Sequence, residues 1–318
     1  MHPATLNVVV DKLTLEASDT LSIELRSADS DSLPAFDAGA HICLDLPNGI
    51  VRSYSLVNSS DNNQRYVLGV LRARESRGGS AFIHEQLRIG DHLTITPPRN
   101  NFPLDETGDV FVLIAGGIGI TAIYSMAQRL AFLGKHVEML YSCRSREHAA
   151  WLRPIQALGI PLTLHFDVEK SGPPDLDAFI AGRGADTRYY CCGPSPMLSA
   201  FEQTCTKHGY RHAHIERFSA APVVPEGEGV PGYEVQLARS GKTIHVEPGA
   251  RLLDALIAAG IDAPFNCQQG FCGTCEMTVL EGEIDHRDSV LSEDERKSGK
   301  SMMVCVSGCK RGRLVLDC

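Results

Sequence analysis

The rhythm of apolar and polar positions changes three times along the chain. Residues 1–104 carry apolar runs of strand length at Thr5–Leu15, Leu21–Ser27, His41–Leu46, Arg52–Val57, Tyr66–Arg72 and His92–Thr96. Within His41–Leu46, Ile42, Leu44 and Leu46 alternate with His41, Cys43 and Asp45, the period of two of a strand with one buried face. Turn-rich stretches such as Asp29–Leu33, Pro47-Asn48-Gly49 and Ser59–Asn63 separate the runs. With one helix over Ala81–Leu87, this pattern predicts a small closed antiparallel barrel.

Residues 105–218 follow a different rhythm. Strand-like runs at Val110–Ala115, Val137–Tyr141, Pro161–Phe166, Arg188–Cys192 and His212–Phe218 alternate with helical stretches, the first of them reaching Leu133. Strand and helix in alternation predict a parallel, doubly wound α/β sheet. Residues 219–232 hold three prolines and three glycines and read as a linker. Residues 233–318 begin with a hairpin, Tyr233–Ala238 and Thr243–Val246 around Ser240-Gly241. A short helix over Leu252–Ala259 and strands at Met277–Leu280 and Leu314–Leu316 follow, so a sheet with a helix laid across it is expected.

Composition narrows the picture. A chain of 318 residues exceeds what one core usually serves, in keeping with three domains. A net charge of −9 argues against nucleic acid or an anionic membrane as partner. The start of the chain lacks a basic, then apolar, export signal, and the apolar run Val110–Ile123 is too short to cross a bilayer. A soluble cytoplasmic monomer is expected. The eleven cysteines therefore read as thiols or metal ligands before disulfides.

Four of these cysteines are spaced C-x4-C-x2-C-x29-C: Cys267, Cys272, Cys275 and Cys305. That is the plant-type pattern for a 2Fe–2S cluster held by soft thiolates. Gly270 and Gly273 suit a loop wrapped closely around it. Structural zinc would ask for paired C-x2-C knuckles, and only one such pair is present.

Four weaker signals lie upstream. In Arg52-Ser53-Tyr54-Ser55, a guanidinium, a phenol ring and hydroxyls suit a phosphate and a flat aromatic ligand, although the same residues suit a barrel wall. Arg77-Gly78-Gly79-Ser80 precedes the helix, with Ser80 as N-cap, and offers an anion site; a plain glycine turn is the rival. Gly116 and the run Gly117-Ile118-Gly119-Ile120-Thr121-Ala122 follow the first parallel strand and match G-x-G-x-x-A. The acid expected at the end of the second strand is missing, because Tyr141-Ser142-Cys143-Arg144 holds no carboxylate. Thr121 is positioned to reach across to a second cofactor. Cys192-Gly193-Pro194 forms a tight turn at the same sheet edge, with Cys192 toward a cofactor; a simple turn is again the alternative.

Taken in order, these motifs resemble the phthalate dioxygenase reductase family, together with the reductases of vanillate demethylase and carnitine monooxygenase. The resemblance also rests on His214-Ile215-Glu216-Arg217-Phe218 and spans essentially the whole chain. It implies a flavin barrel, a nicotinamide domain and a β-grasp plant-type ferredoxin, with FMN, NADH and a 2Fe–2S cluster as cofactors. It places Gly69, Val70 and Leu71 along the flavin and Phe218 near its ring. Ala122 stands where relatives usually carry proline.

The expected function is that of an oxygenase reductase, moving electrons from NADH through FMN and the cluster to a Rieske-type terminal oxygenase. The cofactors carry this chemistry, so no catalytic acid or base is nominated. Arg144 and Arg146 leave a 2′-phosphate, hence NADPH, open. Two alternatives stand: an FAD reductase serving a cytochrome P450 or a separate ferredoxin, and an iron–sulfur redox sensor without turnover. The loop around Phe271, beside Cys272, is the edge expected to face a partner.

Overall fold

The computed structural model describes residues 5–73, 76, 78–218, 232–265, 268, 270, 273–288, 290–291 and 293–318. These fall into two compact units, within 1–218 and 219–318.

The first six strands are β1 (Leu6–Ala17), β2 (Thr20–Ser27), β3 (His41–Asp45), β4 (Val51–Ser55), β5 (Tyr66–Leu71) and β6 (His92–Ile95). They form one antiparallel sheet in the order β4-β3-β6-β1-β2-β5. An antiparallel bridge between Leu56 and Leu68 joins its two ends and curls it into the expected barrel. Ile23, Leu25, Ile42, Leu44, Leu68 and Val70 fill the interior. Helix α1 (Gly79–Glu85) adds Ile83, and Leu87 follows it into the same core.

Ser80 is not the N-cap. Gly78, at φ 89°, holds that position with no side-chain cap, and Ser80 lies inside the helix. Ser76 takes over the work: its hydroxyl accepts from the backbone N–H of Gly78 and Ala81, both at 3.2 Å. The Ser80 hydroxyl turns back to accept from Ala73 N–H. With the left-handed Gly78 at the capping position, Ser80 falls two residues too late to cap.

The next strands are β7 (Val110–Gly116), β8 (His136–Cys143), β9 (Leu162–Phe166), β10 (Arg188–Cys192) and β11 (Ala213–Glu216). They are all parallel, in the order β11-β10-β7-β8-β9. Helices α2 (Ile120–Phe132), α3 (Leu152–Ala157), α4 (Asp167–Lys170), α5 (Leu176–Ile180) and α6 (Ser195–His208) connect them. Strand β7 has β8 on one side and β10 on the other, so the winding reverses at their carboxyl ends. That crevice is where open α/β sheets receive ligands.

Barrel and α/β sheet share a core. Ala38, Val57 and Phe102 from the barrel side pack with Ile123, Met126 and Ala127 of α2. Polar contacts tie the same seam: Gln128 donates to the Val57 carbonyl at 2.8 Å, and Ser125 Oγ accepts from Gly39 N–H at 3.2 Å. Gly39 must be glycine, because a Cβ there would lie 2.1 Å from the Phe102 carbonyl oxygen.

The second unit carries β12 (Tyr233–Leu237), β13 (Thr243–Val246), β14 (Glu276–Asp285), β15 (Ser301–Met303) and β16 (Gly308–Leu316), with α7 (Leu252–Ala258) and α8 (Glu293–Ser298). The sheet order is β13-β12-β16-β14-β15, with β12 and β16 parallel and the other pairs antiparallel. Leu252, Leu253 and Leu256 of α7 are buried on this sheet, completing the β-grasp arrangement. Strands β14 and β16 run longer than their apolar cores suggest. Their middles are exposed and charged, and the pairing shifts register around Gly282, where a Cβ would lie 2.4 Å from the Arg313 carbonyl. Strand β15 opens the short apolar run Met302–Val306, which was not singled out as a strand, and helix α8 has no apolar stripe. Among the described residues, no helix is long and apolar enough to cross a membrane.

Candidate cofactor sites

The second unit shows how chain geometry assembles half of the cysteine motif. Strands β14 and β15 pair antiparallel with Glu276 opposite Met303. Cys275 precedes one strand and Cys305 follows the other by two residues, so residues 30 apart in sequence meet in space. Their Sγ atoms are 3.0 Å apart and buried. Two thiols converging from separate segments are what a shared iron centre requires. Cys267 and Cys272 lie outside the described residues.

The surroundings brace this site. Gly270 has φ +70°, and a Cβ there would lie 2.5 Å from Val306 Cγ2 and 3.1 Å from Asp288 Cα. Asp288, fully buried, accepts from the backbone N–H of Val290 and Leu291 and from the Ser307 hydroxyl. Of the other cysteines expected to be thiols, Cys43, Cys143, Cys191, Cys205 and Cys309 are buried and Cys318 is half-buried.

In the first unit, β4 presents Arg52, Ser53 and Tyr54 at intermediate burial and ends at the buried Ser55. The Ser55 hydroxyl is buried without a hydrogen-bond partner. A lone buried hydroxyl is costly, and a ligand atom would satisfy it. Burial pushes the Tyr54 phenol up to about 12, the nearby Arg52 charge opposing, so the ring stays neutral. The Arg52 stem lies across Gly79: a Cβ there would be 2.8 Å from Arg52 Cγ. The strand motif and the glycine turn therefore meet, as a phosphate-ended flat ligand would require. Arg77 lies outside the described residues. Val70 is buried in the barrel core, Leu71 is exposed, and Gly69 faces the α/β sheet.

The two turns of the α/β sheet also converge. Gly116–Gly119 closes β7 and leads into α2; Cys192-Gly193-Pro194 closes β10 and leads into α6. A Cβ on Gly119 would lie 2.2 Å from the Cys192 carbonyl oxygen, and one on Gly116 would lie 2.7 Å from Pro194 Cδ. A Cβ on Gly193 would come within 3.1 Å of Gly116 Cα. The glycines thus serve a mutual close approach, and two helix N-termini are drawn to one crevice, a setting that suits a diphosphate. Thr121 donates to the Ile118 carbonyl at 2.9 Å, while its methyl faces Gly69 across the seam. The Cys192 side chain is fully buried, and that burial holds its thiol well above the usual range.

Three residues here were not singled out by spacing. The carboxylate missing from the end of β8 is present at the end of β9: the register sets Cys143 against Phe166, and Asp167 comes next. Its Oδ1 is buried without a hydrogen bond, with His165 Nε2 at 3.6 Å. Arg146 stacks on Phe166 at 4.9 Å. Glu216 pairs in register with Cys192; its Oε2 is buried and unpartnered, and desolvation raises its carboxyl to about 8. Phe218, two residues on, is half-buried against the shared core. Trp151, also in that core, meets Gly69. Only the strand-to-strand register could have flagged Asp167, and only folding brings Trp151 to Gly69.

A flavin-type barrel joined to a nicotinamide-type sheet, followed by a β-grasp unit with converging thiols, defines an iron–sulfur flavoprotein reductase. Comparison with known proteins agrees. The family described as "2Fe-2S iron-sulfur cluster binding domain" matches residues 235–310. Phenoxybenzoate dioxygenase subunit beta from Ectopseudomonas oleovorans is 47% identical over 317 residues, covering 100% of this chain and 98% of that protein. The solved structure of phthalate dioxygenase reductase, "a modular structure for electron transfer from pyridine nucleotides to [2Fe-2S]", is 33% identical with a TM-score of 0.73, covering 99% of this chain and 98% of that one. An intact type IV self-sufficient cytochrome P450 monooxygenase matches at 37% identity and a TM-score of 0.90, covering 99% of this chain but 41% of its own. The chain belongs to the phthalate dioxygenase reductase family, the flavin and 2Fe–2S reductases of oxygenase systems.

Proposed function

We propose that this chain is the reductase component of a multicomponent oxygenase, carrying electrons from NADH through FMN and a 2Fe–2S cluster to a Rieske-type terminal oxygenase. Bound flavin supplies the conversion from hydride to single electrons, and the bound cluster supplies the one-electron exit. Residues 1–104 hold the flavin, 105–218 the nicotinamide, and 233–318 the cluster, with 219–232 as linker.

The chain's own residues do the placing. Ser55 offers a hydrogen bond to the flavin ring, Tyr54 a neutral ring face, and Arg52 a charge beside the Gly78-Gly79 turn, joined by Arg77 and Ser80. Gly69, Val70 and Leu71 supply the strand along the flavin. Gly116–Thr121 and Cys192–Pro194 hold the nicotinamide diphosphate between two helix starts. Asp167 accepts from a ribose hydroxyl, which favours NADH over a 2′-phosphorylated cofactor. Cys267, Cys272, Cys275 and Cys305 ligate the cluster.

The observation that carries this reading is the joining of the flavin and nicotinamide sheets through one core, with Thr121 against Gly69. Extracting and weighing the flavin tests it: FMN is expected, and FAD would contradict it. The P450 match favours a second acceptor, a P450. Electron delivery to purified Rieske oxygenase and to P450, side by side, separates the two.

A further inference from the structure

Trp151 is the only tryptophan in the chain, and its backbone is in an unusual state. It has φ 53° and ψ 20°, a left-handed conformation that bulky residues rarely adopt and that concentrates at functional sites. Nevertheless its side chain is only 7% exposed. The indole edge rests on β5 at Gly69: a Cβ there would lie 2.5 Å from Trp151 Cη2 and 2.5 Å from Thr121 Cγ2. A glycine inside a strand weakens it, and it is tolerated where another group must come close. Here the group admitted is the indole, beside Thr121.

The loop that carries Trp151 is fastened from both sides. Ser18, at the β1–β2 turn, donates its N–H and its hydroxyl to the Glu147 carbonyl, at 3.0 and 3.2 Å. His148 Nε2 is 3.7 Å from Asp19 Oδ2, and Ser145 Oγ is 2.8 Å from His148 Nδ1. From the α/β side, the Tyr141 hydroxyl donates to the Ala150 carbonyl at 3.2 Å. The barrel hairpin and the parallel sheet together hold a strained residue at the seam between the flavin strand and the nicotinamide loop.

We propose that Trp151 is a positioning residue for hydride transfer, its indole forming the wall that sets the nicotinamide ring against the flavin where β5 meets Thr121. This rests on the function proposed above. NADH gives up a hydride and leaves as NAD⁺, the hydride's two electrons and proton passing to bound flavin; Trp151 exchanges neither. Its contribution is orientation, to which reaction rates are steeply sensitive.

The test uses flavin-loaded full-length protein. In the parent, Trp151 emission is expected to fall on adding NAD⁺ and not on adding ADP-ribose, which lacks the nicotinamide. Trp151→Ala is expected to lower kcat for NADH oxidation about tenfold and to weaken the nicotinamide–flavin charge-transfer band. Inhibition by ADP-ribose should stay within about twofold, and Trp151→Phe should recover kcat to within about threefold. Unchanged kcat and band in Trp151→Ala, or equal weakening of ADP-ribose and NADH, would overturn the assignment. Should the alanine variant not retain flavin, Trp151→Leu decides by the same readings. A parent protein that does not oxidise NADH overturns the functional reading itself, before any variant is compared.

Discussion

On the function proposed above, the two units hold their cofactors by opposite means. In the second unit the holding is proposed to fall to a few atoms: Cys275 and Cys305 converge to 3.0 Å, with Gly270 packed against Val306 and Asp288. In the first unit the holding is shared among backbone turns, a lone hydroxyl and close packing. Gly119 lies against the Cys192 carbonyl, Arg52 across Gly79, and Thr121 and Trp151 against Gly69. A site made of ligand bonds fails when one atom is changed. A site made of packing and weak hydrogen bonds should degrade by degrees.

The largest effect should therefore come from the thiolates. Cys275→Ser removes a proposed metal ligand. Since even outer-shell partners matter about 10–100-fold, delivery to the oxygenase should fall by at least about a hundredfold. NADH oxidation with ferricyanide, which the flavin unit serves alone, should stay within about twofold of the parent. Equal loss in both assays would mean that the units do not divide the work.

Gly119→Ala is a severe single change at the proposed nicotinamide site of the first unit. Its Cβ would sit 2.2 Å from the Cys192 oxygen, a backbone atom that yields only if the turn moves. Overpacking of this kind costs about 1–3 kcal/mol, and the affinity for NADH should fall with it. Titration calorimetry with NAD⁺ reads the affinity, and urea unfolding reads the stability.

Ser55→Ala has a split outcome. Removing an unpartnered buried hydroxyl should leave the flavin-free protein equal or more stable by up to about 1 kcal/mol. The same change should weaken flavin binding by about 1 kcal/mol, because the ligand loses a hydrogen bond. A variant that loses stability without flavin would show that Ser55 already has a partner.

The smallest effect is a pH dependence. The Glu216 carboxyl is raised from 4.5 to about 8 in the folded protein. As pH rises between these values, the unfolded chain releases its proton first, so folding stability declines; above about 8 the decline ends. Glu216→Gln abolishes that slope. Relative to the parent, it should gain stability at alkaline pH and gain nothing below pH 4.5.

The same contrast explains what could be read before folding. Ligand spacing is written in the order of residues, so Cys267, Cys272, Cys275 and Cys305 stand out unaided. The barrel and the parallel sheet were legible as well, because strands such as Arg188–Cys192 are continuous apolar runs. Strand β15 was not, since Ser301–Met303 is only three residues long and too short to show a strand period. Asp167 became visible only through the β8–β9 register, and Trp151 only through a contact with Gly69 some eighty residues earlier in the sequence. Ser80 misled because residue type favoured a cap that the left-handed Gly78 had already displaced. Non-local packing, not residue type, defines the cradle.

The central claim is that electrons enter at the flavin and leave through the cluster. Anaerobic stopped-flow mixing with NADH tests it directly, following flavin absorbance and, in frozen samples, the EPR signal of the reduced cluster. Loss of flavin absorbance should come first, the cluster signal should follow, and in Cys275→Ser the first phase should persist without the second. A cluster signal that rises before flavin absorbance falls, or that rises equally fast in flavin-free protein, would contradict the account.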